Sequence, residues 1–332
     1  MPFFSVIVPV YNRPQEVEEL LQGLSRQTNK EFEVILVEDG STDKCKVVAE
    51  MFNDKINISY YYKENTGRSD SRNCGMKMAT GDYFVFFDSD CIIPPNYFQL
   101  VKDELQQNYA DCYGGPDKTD DSFSDMQKAV GFSMTSFLTT GGIRGGKKGM
   151  EKFTPRTFNM GFSREVYQRV GGFKDMFGED IDMSLRIRTE GFTTRLLHDA
   201  FVYHKRRISF RAFWRQVFVF GMARIDLYLL HPRSLKIVHA LPALFTVASL
   251  ILVVMSLWNI RALALFLFYF MLIFIVSSFQ NKSIKIGGLS IIASAIQLYG
   301  YGCGFIKMFI SKIILGRRDD QKKDLNKYYR KK

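Results

Sequence analysis

Tyr83-Phe84-Val85-Phe86-Phe87-Asp88-Ser89-Asp90 is the stretch on which the fold turns. Its first five residues are apolar or aromatic without a break, the pattern of a strand buried on both faces near the centre of a parallel sheet. The run then stops on two carboxylates at alternate positions. Working outward, residues 4–10 and 32–37 are similar β-rich apolar runs, and residues 56–62 read as a further strand. Asn12-Arg13-Pro14 opens a helix, with Pro14 suited to its first turn and Val17, Leu20, Leu21 and Leu24 on one side. Helices over 43–52 and 71–79 follow, the second opened by Asn65-Thr66-Gly67 and closed by Thr80-Gly81. This alternation predicts an α/β fold with a mainly parallel sheet and helices on both faces. In such sheets a ligand lies beyond the carboxyl ends of the strands, so Asp39 should converge with Asp88 and Asp90.

Two carboxylates on successive same-side positions repel one another. A divalent cation, with the diphosphate it neutralises, resolves that repulsion, whereas solvated acids in a turn are the plainer alternative. Asp39 is either a cap before Gly40-Ser41 or an acceptor for the N–H of a nucleobase. Gly67 and the helix start beside it offer backbone N–H groups to a phosphate, and Arg68 and Arg72 are nearby cations. Gly178-Glu179-Asp180-Ile181-Asp182 puts three acids at a helix start after the turn Gly171-Gly172-Phe173. Acids suit a first turn, but three in four residues exceed what a cap needs. One becomes a general base if its neighbours raise its affinity for a proton. Within 114–158, Gly141-Gly142-Ile143-Arg144-Gly145-Gly146-Lys147-Lys148-Gly149 predicts a mobile loop, either a lid over the diphosphate or a solvated linker. Arg156 is a further candidate contact.

The net charge of +11 is unevenly spread. Residues 1–203 carry 24 basic and 30 acidic side chains, residues 204–236 carry 8 and 1, and residues 305–332 carry 10 and 3. The basic blocks flank residues 237–258 and 262–279, two charge-free runs long enough to cross a bilayer, with Arg261 in the turn between them. A basic collar on apolar spans points to a membrane and away from nucleic acid. Residues 284–310 are apolar but interrupted by Gly287, Gly288, Gly300, Gly302 and Gly304, a span or a re-entrant or interfacial segment. Both basic blocks should face the cytoplasm, which needs an even number of crossings and favours two spans. Residues 209–230 read as an amphipathic interfacial helix, its Phe, Trp, Val and Leu for the membrane and Arg211, Arg215 and Arg224 for anionic head groups. The N-terminus has no basic n-region and Pro9 breaks its apolar run, so no signal peptide is expected and the acidic domain stays cytoplasmic. Five scattered cysteines without metal-ligand spacing suit a reducing compartment.

The ordered strings Val8-Pro9-Val10-Tyr11-Asn12, Val37-Glu38-Asp39-Gly40-Ser41-Thr42-Asp43, Gly67-Arg68-Ser69-Asp70-Ser71-Arg72-Asn73 and Phe87-Asp88-Ser89-Asp90 closely resemble family 2 glycosyltransferases of the GT-A fold. Asn159-Met160-Gly161-Phe162-Ser163-Arg164-Glu165, Val170-Gly171-Gly172-Phe173 and Gly178-Glu179-Asp180-Ile181-Asp182 continue the match over residues 4–205. The resemblance implies a Rossmann-like catalytic domain over 1–205, its nucleotide-sugar half about 1–113 and its acceptor half about 114–205. An interfacial segment (206–236), a transmembrane hairpin (237–280), the third apolar segment (284–310) and a basic cytoplasmic tail (311–332) complete the organisation.

It further implies a nucleotide-sugar site of Pro9, Tyr11, Asn12, Asp39, Gly67, Arg72, Asp88, Ser89, Arg206 and Arg207. Mn2+ or Mg2+ would be held by Asp88, Asp90 and His204, with His198 as the competing histidine. Asp180 would be the catalytic base with Glu179 beside it, and Asn159, Met160 and Asp182 would line the acceptor side. The implied reaction is inverting transfer of a single sugar, from a donor for which UDP is the favoured carrier over GDP or dTDP. The acceptor would be a hydroxyl of a lipid-linked or membrane-associated glycan at the inner (cytoplasmic) membrane, beside anionic lipids. A polyprenyl-phosphate sugar synthase and a non-catalytic membrane scaffold are the alternatives. The Gln-x-x-Arg-Trp signature of processive synthases is absent: the stretch reads Phe210-Arg211-Ala212-Phe213-Trp214-Arg215-Gln216.

Overall fold

The computed structural model describes residues 2–118, 120, 122–140, 153–205 and 207–317. The chain divides into two units, Met1–Asp120 with Glu151–Asp175 and Glu179–Lys205, and Asp121–Met150 with Met176–Gly178 and Arg206–Lys332.

In chain order, the first unit contains β1 (Phe4–Val10), α1 (Pro14–Ser25), β2 (Phe32–Asp39), α2 (Lys46–Glu50), β3 (Asn57–Lys63) and α3 (Arg68–Met78). There follow β4 (Tyr83–Phe86), β5 (Cys91–Ile92), α4 (Tyr97–Gln107), β6 (Cys112–Gly114) and β7 (Asp117–Lys118). After an excursion into the second unit come β8 (Met160–Ser163), α7 (Arg164–Val170), α8 (Glu179–Thr189), β9 (Thr194–Leu196) and β10 (Val202–His204). The seven-stranded sheet has the order β3-β2-β1-β4-β8-β6-β9. Pairings β1/β2, β1/β4, β2/β3 and β6/β9 are parallel, and β8 runs antiparallel to both β4 and β6.

Continuous apolar runs become strands buried on both faces. Val6, Val8 and Val10 of β1, Val34 and Leu36 of β2, and Val85 of β4 share one core with Val17, Leu20, Leu21 and Leu24 of α1. Ile7, Ile35, Val37, Phe84 and Phe86 point the other way, into a core shared with Met76 of α3 and Met183 and Ile187 of α8. Period-two alternation thus sorts one run of residues into two cores.

The expected helix over 43–52 shrinks to Lys46–Glu50. Asn12 accounts for this: its Oδ1 accepts from the backbone N–H groups of Thr42 and Asp43, and Glu38 accepts from Cys45 N, so residues 42–45 are held as a loop.

The second unit holds α5 (Asp125–Thr135), α6 (Phe137–Thr140), α9 (Phe210–Leu230), α10 (Ile237–Met255), α11 (Ala264–Asn281) and α12 (Ile284–Met308). α5 and α6 lie within 114–158, ahead of the glycine-rich run. Ser124 starts α5 with a full capping box, and Ala129, Val130 and Met134 bury against Phe213, Val217 and Ala293. The glycine-rich segment 141–149 lies outside the described residues.

Among the described residues, three helical stretches are long and apolar enough to cross a membrane: Ile237–Met255, Ile260–Asn281 and Ile284–Ile314. The third is continuous through all its glycines, and half of its most apolar window is buried. A Cβ at Gly221 of α9 would overlap the Tyr301 carbonyl, and one at Gly304 of α12 would overlap the Phe218 carbonyl. Gly302 likewise meets Thr246 and Pro242 of α10, and Gly287 meets Ser278 of α11. These glycines are contact points that let backbones approach, not interruptions. α9 is accordingly not a helix with one simple lipid face. Val217, Val219, Met222, Ala223, Ile225 and Leu227 are buried, while Arg211, Trp214 and Arg215 near its start are exposed.

Candidate active site

The carboxyl ends of β1, β2 and β4 carry the first group of side chains. Asn12, in the left-handed region at φ 52°, ties the β1 end to the β2 end by donating its N–H to Ser41 Oγ at 2.8 Å and accepting from Thr42 and Asp43. Asp39 is buried and fully engaged. It accepts from Thr66 N (3.0 Å) and Gly67 N (2.9 Å) and pairs with Lys63 Nζ at 2.5 Å. Those two amides turn toward Asp39, so the loop before α3 is set by this carboxylate rather than left open as an anion cradle. Lys63 also contacts Thr66 and pairs with Asp70 at 3.2 Å. Tyr11 is exposed and Pro9 half-buried beside this group.

Past β4 the chain presents Asp88, buried Ser89 and Asp90. The short antiparallel pairing of β10 with β5 sets His204 opposite Cys91. His204 Nε2 consequently lies 3.1 Å from Asp90 Oδ1, while Arg13 Nη1 lies 2.9 Å from Asp90 Oδ2. The imidazole stacks on Phe158 with ring centroids 4.9 Å apart, and its buried Nδ1 has no hydrogen-bond partner among the described residues. Asp90, Cys91 and His204 form a group whose ligand atoms all lie within 4.8 Å of one another. Burial pushes the Cys91 thiol well above its ordinary range, with Asp90 and Asp88 adding to the effect, which leaves the carboxylate and imidazole as the better donors. A carboxylate oxygen and an imidazole nitrogen fit a divalent cation of the Mn2+ kind. Asp88 stands apart from this group, with Oδ1 bonded to Arg72 Nη2 at 2.8 Å. His198 is exposed in the turn between β9 and β10.

The three acids at the start of α8 are sorted by burial. Glu179 is 2% exposed and takes both Arg68 (Nε, 2.7 Å) and Arg72 (Nη1, 2.9 Å). Asp182 is fully buried, held by Arg186 Nε at 2.8 Å and Lys174 Nζ at 3.3 Å. Only Asp180 retains surface, at 18%, with Arg156 Nη1 3.5 Å away and its Oδ1 accepting from Ile181 N at 2.8 Å. Burial pushes its carboxyl up, but Arg156, Arg68, the Ile181 N–H and Arg72 outweigh this and hold it below the ordinary value. The expectation that neighbours raise its proton affinity is therefore reversed: the surroundings of this acid are cationic.

The three expected acceptor-side residues are buried. Asn159 is fully buried, accepting from Tyr97 OH at 2.5 Å and donating to Ala200 O at 2.8 Å. Met160 opens β8 and its side chain is buried in the core that Ile7 and Phe86 also enter. Asp182 secures Arg186, which in turn donates to the carbonyls of Val170 and Gly172. Spacing alone could not separate these from surface positions. Arg207 belongs to the second unit, and Arg206 lies outside the described residues. Arg13 and Lys63 escaped the sequence reading. Arg13 had one signal, a cation between Asn12 and Pro14 at a strand's carboxyl end, whereas Lys63 had none.

A family model described as glycosyl transferase family 2 matches residues 5–171. Glycosyltransferase AglE of Haloferax volcanii is 26% identical over 259 residues, covering 73% of this chain and 79% of that one. Uncharacterized glycosyltransferase EpsJ of Bacillus subtilis is 37% identical over 115 residues, 34% of this chain and 33% of that one, so the chain spans about a third of this relative. Among solved structures, mannosyltransferase PcManGT from Pyrobaculum calidifontis, in complex with GDP-Man and Mn2+, superposes with a TM-score of 0.65 at 18% identity. That likeness covers 90% of this chain and 87% of the other and is one of fold.

Proposed function

The chain belongs to glycosyl transferase family 2, and from that premise we propose a metal-dependent, inverting transfer of one sugar from a nucleotide donor to an acceptor hydroxyl. The observation that carries the reading is the sorting of acids on α8. Of Glu179, Asp180 and Asp182, only Asp180 is partly exposed, and its guanidinium partner Arg156 stands at 3.5 Å where those of the other two close to 2.7–2.9 Å. Held ionised by Arg156, it accepts the proton of the acceptor O–H as that oxygen attacks the anomeric carbon. The bond from that carbon to the diphosphate oxygen breaks on the opposite face, so the centre inverts. A divalent cation held by Asp90 and His204, with Asp88 as the neighbouring carboxylate, would neutralise the charge that builds on the departing nucleoside diphosphate. Arg13, beside Asp90, adds a fixed positive charge on the same side.

The nucleotide would lie across the ends of β1 and β2, over Pro9, Tyr11 and the loop that Asp39 sets. UDP is the proposed carrier, and Asn12 supports the pocket by joining its two loops. The three apolar helices and the exposed Arg211, Trp214 and Arg215 support attachment to an anionic bilayer, where a lipid-linked acceptor is met. A multi-pass protein of the inner membrane with the catalytic unit in the cytoplasm is the arrangement we propose.

The reading is tested by sugar release from UDP-, GDP- and dTDP-sugars with and without Mn2+, in wild type and Asp90→Ala. Metal-stimulated turnover lost in the variant supports it. Turnover indifferent to chelator, or none with any donor, refutes it.

A further inference from the structure

Glu179, Arg72 and Asp88 form a continuous chain of ion pairs, Glu179 and Arg72 buried and Asp88 partly exposed, and neither Glu179 nor Arg72 enters a step above. Glu179 accepts from Arg68 Nε at 2.7 Å, Arg68 Nη2 at 2.8 Å and Arg72 Nη1 at 2.9 Å. The other arm of Arg72, Nη2, donates to Asp88 Oδ1 at 2.8 Å. Arg72 is 1% exposed, and its Nε has no hydrogen-bond partner among the described residues. A desolvated guanidinium with a donor unmatched is costly, and two carboxylates on different elements hold it in place. One leads out of β4 and the other opens α8. The next residue reinforces the link: Asn73 Oδ1 accepts from Phe173 N and Asn73 Nδ2 donates to Phe173 O, both at 2.8 Å. One turn of α3 thus grips the chain leading into α8 and the carboxylate leaving β4.

We propose that Glu179 and Arg72 are positioning residues that couple Asp88 to Asp180, with Glu179 fixing the first turn of α8 to α3 and Arg72 passing that constraint to Asp88. This rests on the reading of Asp180 as the base and Asp88 as a donor-side group. Arg72 is the cation that Glu179 and Asp88 share, one guanidinium nitrogen to each. Losing Glu179's charge leaves Arg72 to Asp88 alone and unfastens the turn that carries Asp180. Losing Asp88's charge leaves Arg72 to Glu179. Losing both strands a buried cation.

The test is a double-mutant cycle on thermal unfolding of the full chain in detergent, with Glu179→Gln, Asp88→Asn and their combination. In the presence of Arg72 the combined variant should lose clearly more Tm than the two single losses added together. In an Arg72→Gln background the losses should add. Additive losses in both backgrounds overturn the coupling, whatever the enzyme does. If Glu179→Gln fails to fold, Glu179→Asp, which keeps the charge but shortens the reach, takes its place in the cycle.

The kinetic arm separates positioning from mere stability. Glu179→Gln should lower kcat by about 10-fold or more and raise the donor KM several-fold, although Glu179 sits on the base-bearing helix; Glu179→Asp should recover part of both. A fall in kcat with a wild-type donor KM overturns the proposal. Wild-type protein that transfers no sugar refutes the catalytic reading, and the unfolding cycle then still decides the coupling.

Discussion

Asp180 and its nearest cation, Arg156, are the pair on which the proposed base chemistry rests. Asp180→Asn keeps the shape of the side chain and removes the proton acceptor, so transfer should fall by about 10²-fold or more while nucleotide affinity by calorimetry stays near wild type. Weakened nucleotide binding would place Asp180 on the donor side instead. Arg156 holds the Asp180 carboxyl below its ordinary 3.8. The proposed base is therefore ionised throughout the neutral range, and the acid limb of its kcat/KM profile should lie below the ordinary carboxylate range. Arg156→Gln removes the nearest lowering charge, so the limb should move to higher pH; an unmoved limb would show that another group controls it. Legibility at this scale was uneven. Asp39, Asp88, Asp90, Asp180 and His204 were readable because they end strands or open a helix in a known order. Asn159 and Asp182 sit in equally motif-like strings, yet their side chains turn inward, and a string of letters carries no burial.

Among the elements, the strands were the most legible, because a run buried on both faces has little choice of partner. β1, β2 and β4 lie within two residues of their expected ends. The pole of the sheet opposite the site depends on Glu33, a buried acid on β2. It accepts from Ser5 Oγ (2.6 Å), Thr80 N (2.6 Å) and Thr80 Oγ1 (2.8 Å), joining β1, β2 and the turn before β4. Burial raises its carboxyl, but these bonds together prevail and hold it below its ordinary 4.5. A depressed native value stabilises the fold above the unfolded value, and that contribution is lost as pH falls through the native one. Glu33→Gln should cost about 1–3 kcal/mol at neutral pH and flatten the acid side of the stability profile. An unchanged Tm at pH 7 would remove Glu33 from this role. Helix packing follows a similar logic. Gly304→Ala pushes a methyl into the Phe218 carbonyl, so α9 and α12 must separate, and Tm in detergent should drop by several degrees, whereas Gly288→Ala, with open space around it, should be neutral.

For the whole molecule, the open physical question is the path through the bilayer. Charge placement favours an even number of crossings, yet Ile284–Ile314 is one continuous helix of sufficient length. Single cysteines placed in 318–332 and at Arg233, probed with an impermeant thiol reagent on a cysteine-free background, should label from the same side if only two helices cross. Labelling from opposite sides would make it three. The sequence by itself determined the mainly parallel α/β sheet, the family and the presence of apolar helices, because periodicity and ordered motifs are local or one-dimensional properties. Only the tertiary structure decided which acids keep a surface, that Arg72 is shared by Glu179 and Asp88, and that glycines in α12 are packing contacts. Each of those depends on which side chains meet across elements far apart in the chain, and burial, charge pairing and close backbone approach exist only once they have met.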